Sequence, residues 1–452
     1  MTQVQLAENL GISASYLNLI EHDKRPLSAT LLIKLSEVFD VDVRSFAKDE
    51  NKQLRADLME ILADPMFDGI GMTNADVKEL LTHAPTIGTA VKDLFNRHQS
   101  LIHTHANAPS MDVNSSPNLP SEEVTDFLHQ NGNYFPTLET AAENLWNDGT
   151  LDRNDIYRGL VLILQRVYGV QVRIVEMKAM DGTLRRYVPE RRLLMLSEVL
   201  EPTSRNFQLA QQIGFMSHNQ AIDELVAQGS FQSEDSTILA RIALANYFAG
   251  ALLMPYQAFL EAARSVRYDI DLLRHRFRTS FEQVCHRLTN LRRPNASGVP
   301  FHFVRVDIAG NISKRYSASG MQFARFSGAC PRWNVFAAFL TPGRGRIQVS
   351  QMPDGSEFFS VARTLTKSVG AYGSPHTVHA IEMGCDVRYA SELVYADGVA
   401  LGDSASSTPV GTTCRLCSRM DCEQRAMPSA GSPLLIDQNV RGISFYVTKK
   451  RN

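Results

Sequence analysis

Cys414, Cys417 and Cys422 fall within nine residues of a chain that holds only six cysteines. Thiolates so dense and so irregularly spaced are hard to explain as packing. They suit a soft metal such as zinc, an iron–sulfur centre, or a redox pair with a spare thiol. A tetrahedral or cluster site built on three of them needs a fourth donor.

At 452 residues the chain is long enough for about three domains, and its 44% hydrophobic fraction is ordinary for packed cores. The net charge of −2 gives no reason for bulk polyanion binding. No stretch approaches the roughly 20 consecutive apolar residues of a membrane span, and no charged-then-apolar signal opens the chain. A cytoplasmic setting is therefore expected, where thiols stay reduced and the cysteines read as a metal site before a disulfide framework.

Near the N-terminus Thr2 can cap a short helix whose apolar face is Leu6, Ala7 and Leu10. Gly11 suits a tight turn, and Ser13 caps a second helix with Leu17 and Ile20 inward. Helix, glycine-containing turn, helix is a helix-turn-helix layout. Ser15, Tyr16 and Asn18 fall away from the apolar stripe, free to meet base edges or phosphates. This stretch resembles the lambda-repressor-like (XRE) family, and the match runs on from Asn18 through Lys24, Arg25 and Pro26. Ser13, Ser15, Tyr16, Asn18, Lys24 and Arg25 form the expected DNA-contacting set. In that family another helix precedes the one at Thr2, and it is missing here. Residues 1–50 also carry five Lys/Arg against eight Asp/Glu, an odd balance for a DNA reader. An upstream start would supply both. A helical hairpin with no nucleic-acid role is the alternative.

Residues 51–132 read as a helical connector followed by a Ser/Pro/Asn-rich linker between Thr104 and Ser121. From residue 133 a helix runs into strand-like Val170 to Val175. Asp181-Gly182 marks a hairpin before Leu184 to Val188, and Leu193 to Leu196 is a third short strand. With helix following, residues 133–293 resemble the ImmA/IrrE zinc metallopeptidase-like family. Active members carry His-Glu-x-x-His on a helix, two zinc ligands one turn apart with a general base between them. Here that motif lands on Gln211-Gln212-Ile213-Gly214-Phe215, and the third ligand position falls on Leu244. Phe and Leu cannot ligate zinc and Gln supplies no titratable base, so proteolysis is not expected. The surviving cleft reads as a small-molecule pocket. Between Arg264 and Arg315 stand eleven Lys/Arg and four Asp/Glu, with Arg274, Arg276 and Arg278 alternating. Such a belt suits phosphates, or is simply a solvated face.

Residues 294–452 read as glycine-separated strands ending in the cysteine cluster. Whole-chain resemblance is to the short-chain fatty acyl-CoA transcriptional regulators. It is carried by Arg305-Val306-Asp307 with Gly310 to Arg315, Cys330-Pro331-Arg332-Trp333, Gln351 to Gly355, Gly384-Cys385-Asp386, and Cys414 to Ala426. The resemblance implies a DNA-binding, cytoplasmic, non-enzymatic regulator with an acyl-CoA effector and, in some members, an iron–sulfur cluster. Gln211, Phe215 and Tyr247 are expected along the effector cleft, with Arg274 and Arg276 towards the phosphates. Cys385 is the expected fourth metal ligand, because Gly384 permits close approach, and Cys330 is its rival. An all-thiolate set fits zinc or a [4Fe–4S] cluster equally. The fold class that follows is multidomain α+β: an all-α helix-turn-helix, a metallopeptidase-like α+β domain without zinc ligands, and a β-rich C-terminal domain. A homodimer on a two-fold operator is expected. The alternatives are an iron–sulfur or redox sensor with no acyl-CoA effector, and a zinc peptidase.

Overall fold

The computed structural model describes residues 52–67, 72–107, 119–325, 328–367, 376–402 and 407–430, with Ala7, Ile12, Ser13, Tyr16, Leu17 and Leu31. The multidomain α+β expectation holds.

Three helices form the connector: α1 (Lys52–Leu62), α2 (Asn74–His83) and α3 (Pro85–Asn107). Thr73 and Asp76 close a capping box at the start of α2, and Pro85 opens α3 where no amide donor is needed. Leu58, Val77 and Leu81 are the buried contacts. Gly88 lets α3 approach closely, since a Cβ there would meet Leu81 Cδ2 at 2.7 Å.

The middle of the chain builds α4 (Pro120–Gln130), α5 (Pro136–Asn147) and α6 (Ile156–Tyr168), then β1 (Gln171–Val175), β2 (Arg185–Val188) and β3 (Leu193–Ser197). Helices α7 (Pro202–Ser217), α8 (Asn219–Ala227) and α9 (Glu234–Leu253) follow. Gly169, in the left-handed region at φ 68°, ends α6 and turns the chain into β1. The three-stranded sheet has the order β1-β3-β2, with β3 parallel to β1 and antiparallel to β2. Asp181 and Gly182 do turn with positive φ, but they do not join paired strands. A short 3₁₀ turn, Met177–Met180, intervenes and buries Met180 completely, so β1 and β2 flank β3 instead of forming the expected hairpin.

Helix α9 is long and apolar enough to cross a membrane, with mean hydropathy 1.4. Here it is a core helix: Ala240, Leu244, Ala245, Phe248 and Leu252 are buried against α4, α5, α7 and α8. An apolar helix surrounded on several sides needs no polar face.

Three further helices, α10 (Tyr256–Ser265), α11 (Ile270–Phe277) and α12 (Phe281–Thr289), precede a second sheet. Its strands are β4 (His302–Asp307), β5 (Ile312–Ser317), β6 (Arg346–Gln351), β7 (Glu357–Lys367), β8 (Thr377–Asp386) and β9 (Thr408–Pro409). Their order is β5-β4-β8-β7-β6-β9, antiparallel except for β6 with β9. Side chains alternate between its faces. Phe303, Phe359, Val361, Ile381, Met383 and Cys385 face α10–α12. Val304, Val306, Phe358, Ala362 and Ala380 face the other way, against Cys330, Trp333, Val410 and the short helix α13 (Asn334–Ala337). Residues 254–291 therefore share a core with the sheet.

Candidate functional site

The degenerate motif sits on α7 against α9. Gln211 is buried and donates from Nε2 to Asn246 Oδ1 at 2.7 Å. Gln212 is buried too, and its Oε1 accepts from Arg185 Nη2 of β2. The Arg185 guanidinium also lies 5.9 Å from the centre of the half-buried Phe215 ring, and burial lowers its pKa. Gly214 faces Phe248 so closely that a Cβ would approach Cδ1 to 2.7 Å. Leu244 is fully buried in the core. His218 Nδ1 lies 2.5 Å from Ser217 Oγ, and its ring packs beside Phe248. Where a peptidase holds zinc, this chain has amide and arginine hydrogen bonds and apolar packing.

Tyr247 is not a cleft residue. Its hydroxyl donates to Glu139 Oε1 at 2.6 Å and accepts from the Phe135 amide at 3.2 Å. Glu139 is gripped by Arg287 through both oxygens, at 2.5 and 2.8 Å, and Arg287 Nε donates to the Met254 carbonyl at 2.9 Å. Glu139 and Arg287 are essentially inaccessible. Burial pushes the Tyr247 pKa well above its usual value, and the Glu139 charge adds to it. The residue joins α5, α9 and α12, so the effector expectation for it gives way to a structural role.

The basic belt is largely spent on structure. Arg287 is in that buried pair, while Arg293 pairs with Glu143 and Arg305 with Glu282. Arg267 pairs with Asp397 and Arg315 with Glu122. Arg274 contacts Asp271 at 3.4 Å, and Arg276 donates to Ser265 Oγ at 3.1 Å. Both stand on α11, which packs with the second sheet, and neither is brought to Gln211 or Phe215.

The cysteines divide. Cys385 is fully buried on the face of β8 that meets α10–α12, and burial pushes its thiol up to about 12. Cys330 lies on the opposite side of that sheet. Its amide donates to the Thr412 carbonyl at 3.0 Å, and Ala329 forms a bridge with Thr413. Burial raises the Cys330 pKa, and the nearby Cys414 and Cys417 thiols raise it further. The thiol on the side of Cys414 and Cys417 is thus Cys330, and strand alternation turns Cys385 to the other face of the sheet. Cys417 Sγ packs within 3.1 Å of where a Gly411 Cβ would stand.

Arg425 organises this loop. Its Nη1 donates to the carbonyls of Cys414 at 2.6 Å and Met427 at 3.2 Å; its Nη2 donates to those of Cys417 and Arg419, both at 2.7 Å. The Ala426 amide donates to Cys414 Sγ at 3.5 Å. Three thiols on one loop, one of them accepting from an amide, are of the donor type that soft metals and iron–sulfur clusters use. As placed, no three His, Cys, Asp or Glu side chains among the described residues close around a single ion position. Arg415 Nε donates to the Ala63 carbonyl, just past α1, so the cysteine loop touches the connector.

Arg325 makes a second contact of that kind. Its amide donates to Glu60 Oε2 at 2.7 Å, and its guanidinium reaches Asp57 at 3.0 Å on α1 and Asp126 at 2.9 and 3.1 Å on α4. Sequence reading did not single out Arg325 or assign Arg425 a role. Arg425 stands inside a quoted segment; nothing local marks Arg325.

In the N-terminal region Ser13 Oγ accepts from the Tyr16 amide at 3.1 Å, as a helix cap should. Ala7, Leu17 and Leu31 are buried together. Tyr16 packs partly against them, so it faces solvent less than its position suggested. Ser15, Asn18, Lys24 and Arg25 lie outside the described residues.

The family model for the C-terminal region of short-chain fatty acyl coenzyme A regulators matches residues 290–446. An IrrE N-terminal-like domain matches residues 165–289, and a helix-turn-helix matches residues 1–46. The HTH-type transcriptional regulator RamB of Mycobacterium tuberculosis is 39% identical, over 99% of this chain and 96% of its own length. The HTH-type transcriptional regulator PrpR of the same organism is 38% identical, over 97% and 91%. A propionyl-CoA carboxylase regulator of Cereibacter sphaeroides is 40% identical, over 99% and 95%. A solved Mycobacterium tuberculosis transcriptional regulator superposes with a TM-score of 0.70 at 41% identity, covering 73% of this chain and all of that one.

Proposed function

The chain belongs to the family of short-chain fatty acyl coenzyme A regulators, and on that premise we propose how its parts act. It is a DNA-binding regulator of short-chain acyl-CoA metabolism. A short-chain acyl-CoA is the effector, Ser13, Ser15, Tyr16, Asn18, Lys24 and Arg25 meet the operator, and the protein works in the cytoplasm as a homodimer. The observation that carries the effector reading is the middle domain: a peptidase framework whose ligand positions hold Gln211, Phe215 and Leu244, and whose base position holds Gln212. At those positions stand Phe215 and the Arg185–Gln212 pair, groups that suit an organic ligand better than zinc. No proteolysis is assigned to it.

The effector's influence has a physical route. Arg325 and Arg415 tie the C-terminal domain to α1, and the family match places the helix-turn-helix immediately before α1. Cys414, Cys417 and Cys422 on the loop that carries Arg415, with Cys330 from the segment bridged to it, are the residues that would hold zinc or a [4Fe–4S] cluster. Such a group would supply a rigid cross-link or a redox-sensitive one.

Calorimetric titration with acetyl-, propionyl- and butyryl-CoA, and with free CoA, tests the effector. Saturable binding that depends on the acyl group is expected. A shift in operator affinity of about 5- to 150-fold should accompany it. No binding by any ester refutes the effector reading. The metal is tested by zinc and iron analysis after anaerobic purification, and sedimentation velocity tests the dimer. Stoichiometric zinc that survives mutation of the C-terminal cysteines would restore the peptidase.

A further inference from the structure

A cavity of about 270 Å³ opens where the first turns of α6 and α7 meet β1. Its walls are Asp155 to Tyr157, Ile174, Pro202, Thr203, Arg205, Asn206 and Arg278. Asn206 stands five residues before Gln211 on α7, about 140° around the helix, so the cavity opens on a different face of α7 from the degenerate motif.

Its polar side is arranged but unused. Asn206 is 6% exposed, and its Oδ1 has no hydrogen-bond partner; nor has Thr203 Oγ1 or Arg205 Nε, both buried atoms. Buried polar atoms left unpaired cost free energy unless something else completes them. Helix α7 starts at Pro202 with no side-chain cap, so its first amides are also left for a ligand. Among the described residues the two cations at the site pair with no carboxylate. Arg205 Nη2 donates to the Glu198 carbonyl at 2.7 Å, and Arg278 Nη1 to the Asn154 carbonyl at 2.5 Å. Carbonyls position a guanidinium without neutralising it. The opposite side is apolar, with Ile156 buried, Tyr157 half-buried and Ile174 47% exposed. Asp155, exposed and accepting from the Arg158 amide at 3.3 Å, is the one acid in the wall.

We propose that this cavity binds a phosphorylated nucleoside. The phosphate meets Arg205, Arg278, Thr203 and the first amides of α7. The base or sugar lies along Tyr157 and Ile174, and Asp155 accepts a ribose hydroxyl. The volume sits just below the usual range for drug-sized ligands, which suits one end of a ligand and not a whole coenzyme. Two sources share this chemistry: the phosphorylated adenosine end of a coenzyme A thioester, and a free nucleotide. Only the first rests on the effector reading.

Calorimetry on the full chain separates them. Wild type is titrated with ADP, with propionyl-CoA, and with propionyl-CoA in the presence of saturating ADP. The same titrations follow on Arg278→Gln and Thr203→Val, with Lys78→Gln, on the exposed side of α2 and outside the cavity, as control. Loss of a charge-assisted hydrogen bond should weaken the nucleotide ligand about tenfold or more in Arg278→Gln, with a smaller loss in Thr203→Val and none in the control. Competition between ADP and propionyl-CoA identifies the coenzyme's own nucleotide end, and ADP binding without competition identifies a second ligand. If wild type binds propionyl-CoA, ignores ADP, and keeps its affinity in both variants, the cavity proposal is overturned and the effector reading stands. If ADP binds and no acyl-CoA does, the effector reading falls and the cavity stands.

Discussion

Glu382 stands on β8 inside the sheet, 3% exposed, with its Oε2 accepting from the Val335 amide at 2.8 Å. Burial pushes its pKa up to about 7 from an ordinary 4.5, partly opposed by that hydrogen bond. His302, fully buried on β4, lies 3.9 Å away and is pushed down to about 3, so the pair is neutral in mildly acidic solution. The sign for Glu382 follows from linkage. Below pH 4.5 the carboxyl is protonated folded or unfolded. Between 4.5 and about 7 the unfolded chain loses the proton that the fold retains, so stability falls as pH rises. Above that range the deficit is constant. Glu382→Gln keeps an acceptor for Val335 and removes the titration, so urea melts should find it more stable than wild type at pH 8, by at most about 3 kcal/mol. At pH 4.5 the gap should vanish. A gap independent of pH would show that Glu382 is not the titrating group. Gly384 belongs to the same cluster: a Cβ there would meet His302 Nε2 at 2.6 Å and the Phe359 carbonyl at 2.4 Å. The close approach expected at this glycine is made by a histidine ring and a neighbouring strand.

Among the elements, the cysteine loop depends most on one side chain. A guanidinium presents five donors in a fixed fork, and Arg425 uses it to hold four carbonyls at once. Lysine cannot span them. Arg425→Lys should therefore speed thiol labelling of Cys414, Cys417 and Cys422 severalfold, while the buried Cys285 and Cys385 stay protected. Labelling no faster than wild type would mean that the loop is ordered by other contacts. Under the metal proposal Cys330→Ser should lower bound zinc or iron, whereas Cys385→Ser should leave it unchanged. The reverse result would return Cys385 to the ligand set. That choice was decided by strand alternation: both cysteines follow ordinary sequence contexts, and only the sheet places them on opposite faces.

At the scale of the molecule, two arginines link the C-terminal domain to the connector, and one buried cluster locks the middle to the second sheet. Asp57 is 1% exposed and faces both Arg325 and Lys92, the latter at 2.8 Å. Replacing Arg325 therefore leaves that carboxylate a counterion, which limits the usual cost of breaking a buried pair. Arg325→Met should preserve acyl-CoA affinity and abolish most of the ligand-dependent change in operator affinity, as read by titrating both ligands on the same preparation. Full coupling in that variant would exclude this contact as the route. Glu139–Arg287 has no such reserve. Arg287→Met should destabilise the fold by about 3–5 kcal/mol, because Glu139 would remain buried with only Tyr247 and no cation. Chemical denaturation gives that number directly.

Local pattern carried the helix-turn-helix, because capping and glycine preferences act within a few residues: Ser13 does cap, and Ala7 and Leu17 are buried. The residue types at the motif are legible the same way: Gln211, Phe215 and Leu244 stand where the resembling peptidases carry zinc ligands. What the sequence could not decide was which distant groups meet. Tyr247 looked like a cleft residue until α5 and α12 brought Glu139 and Arg287 to it. The belt of arginines looked available until Arg267, Arg287, Arg293, Arg305 and Arg315 were each seen with a carboxylate. Arg278, two positions from the arginines the sequence favoured, is the one that lines a cavity. Side-chain type and helical spacing are properties of a short segment. Burial, counter-charges and the face of a strand are properties of contacts across more than a hundred residues, and only the tertiary structure assigns them.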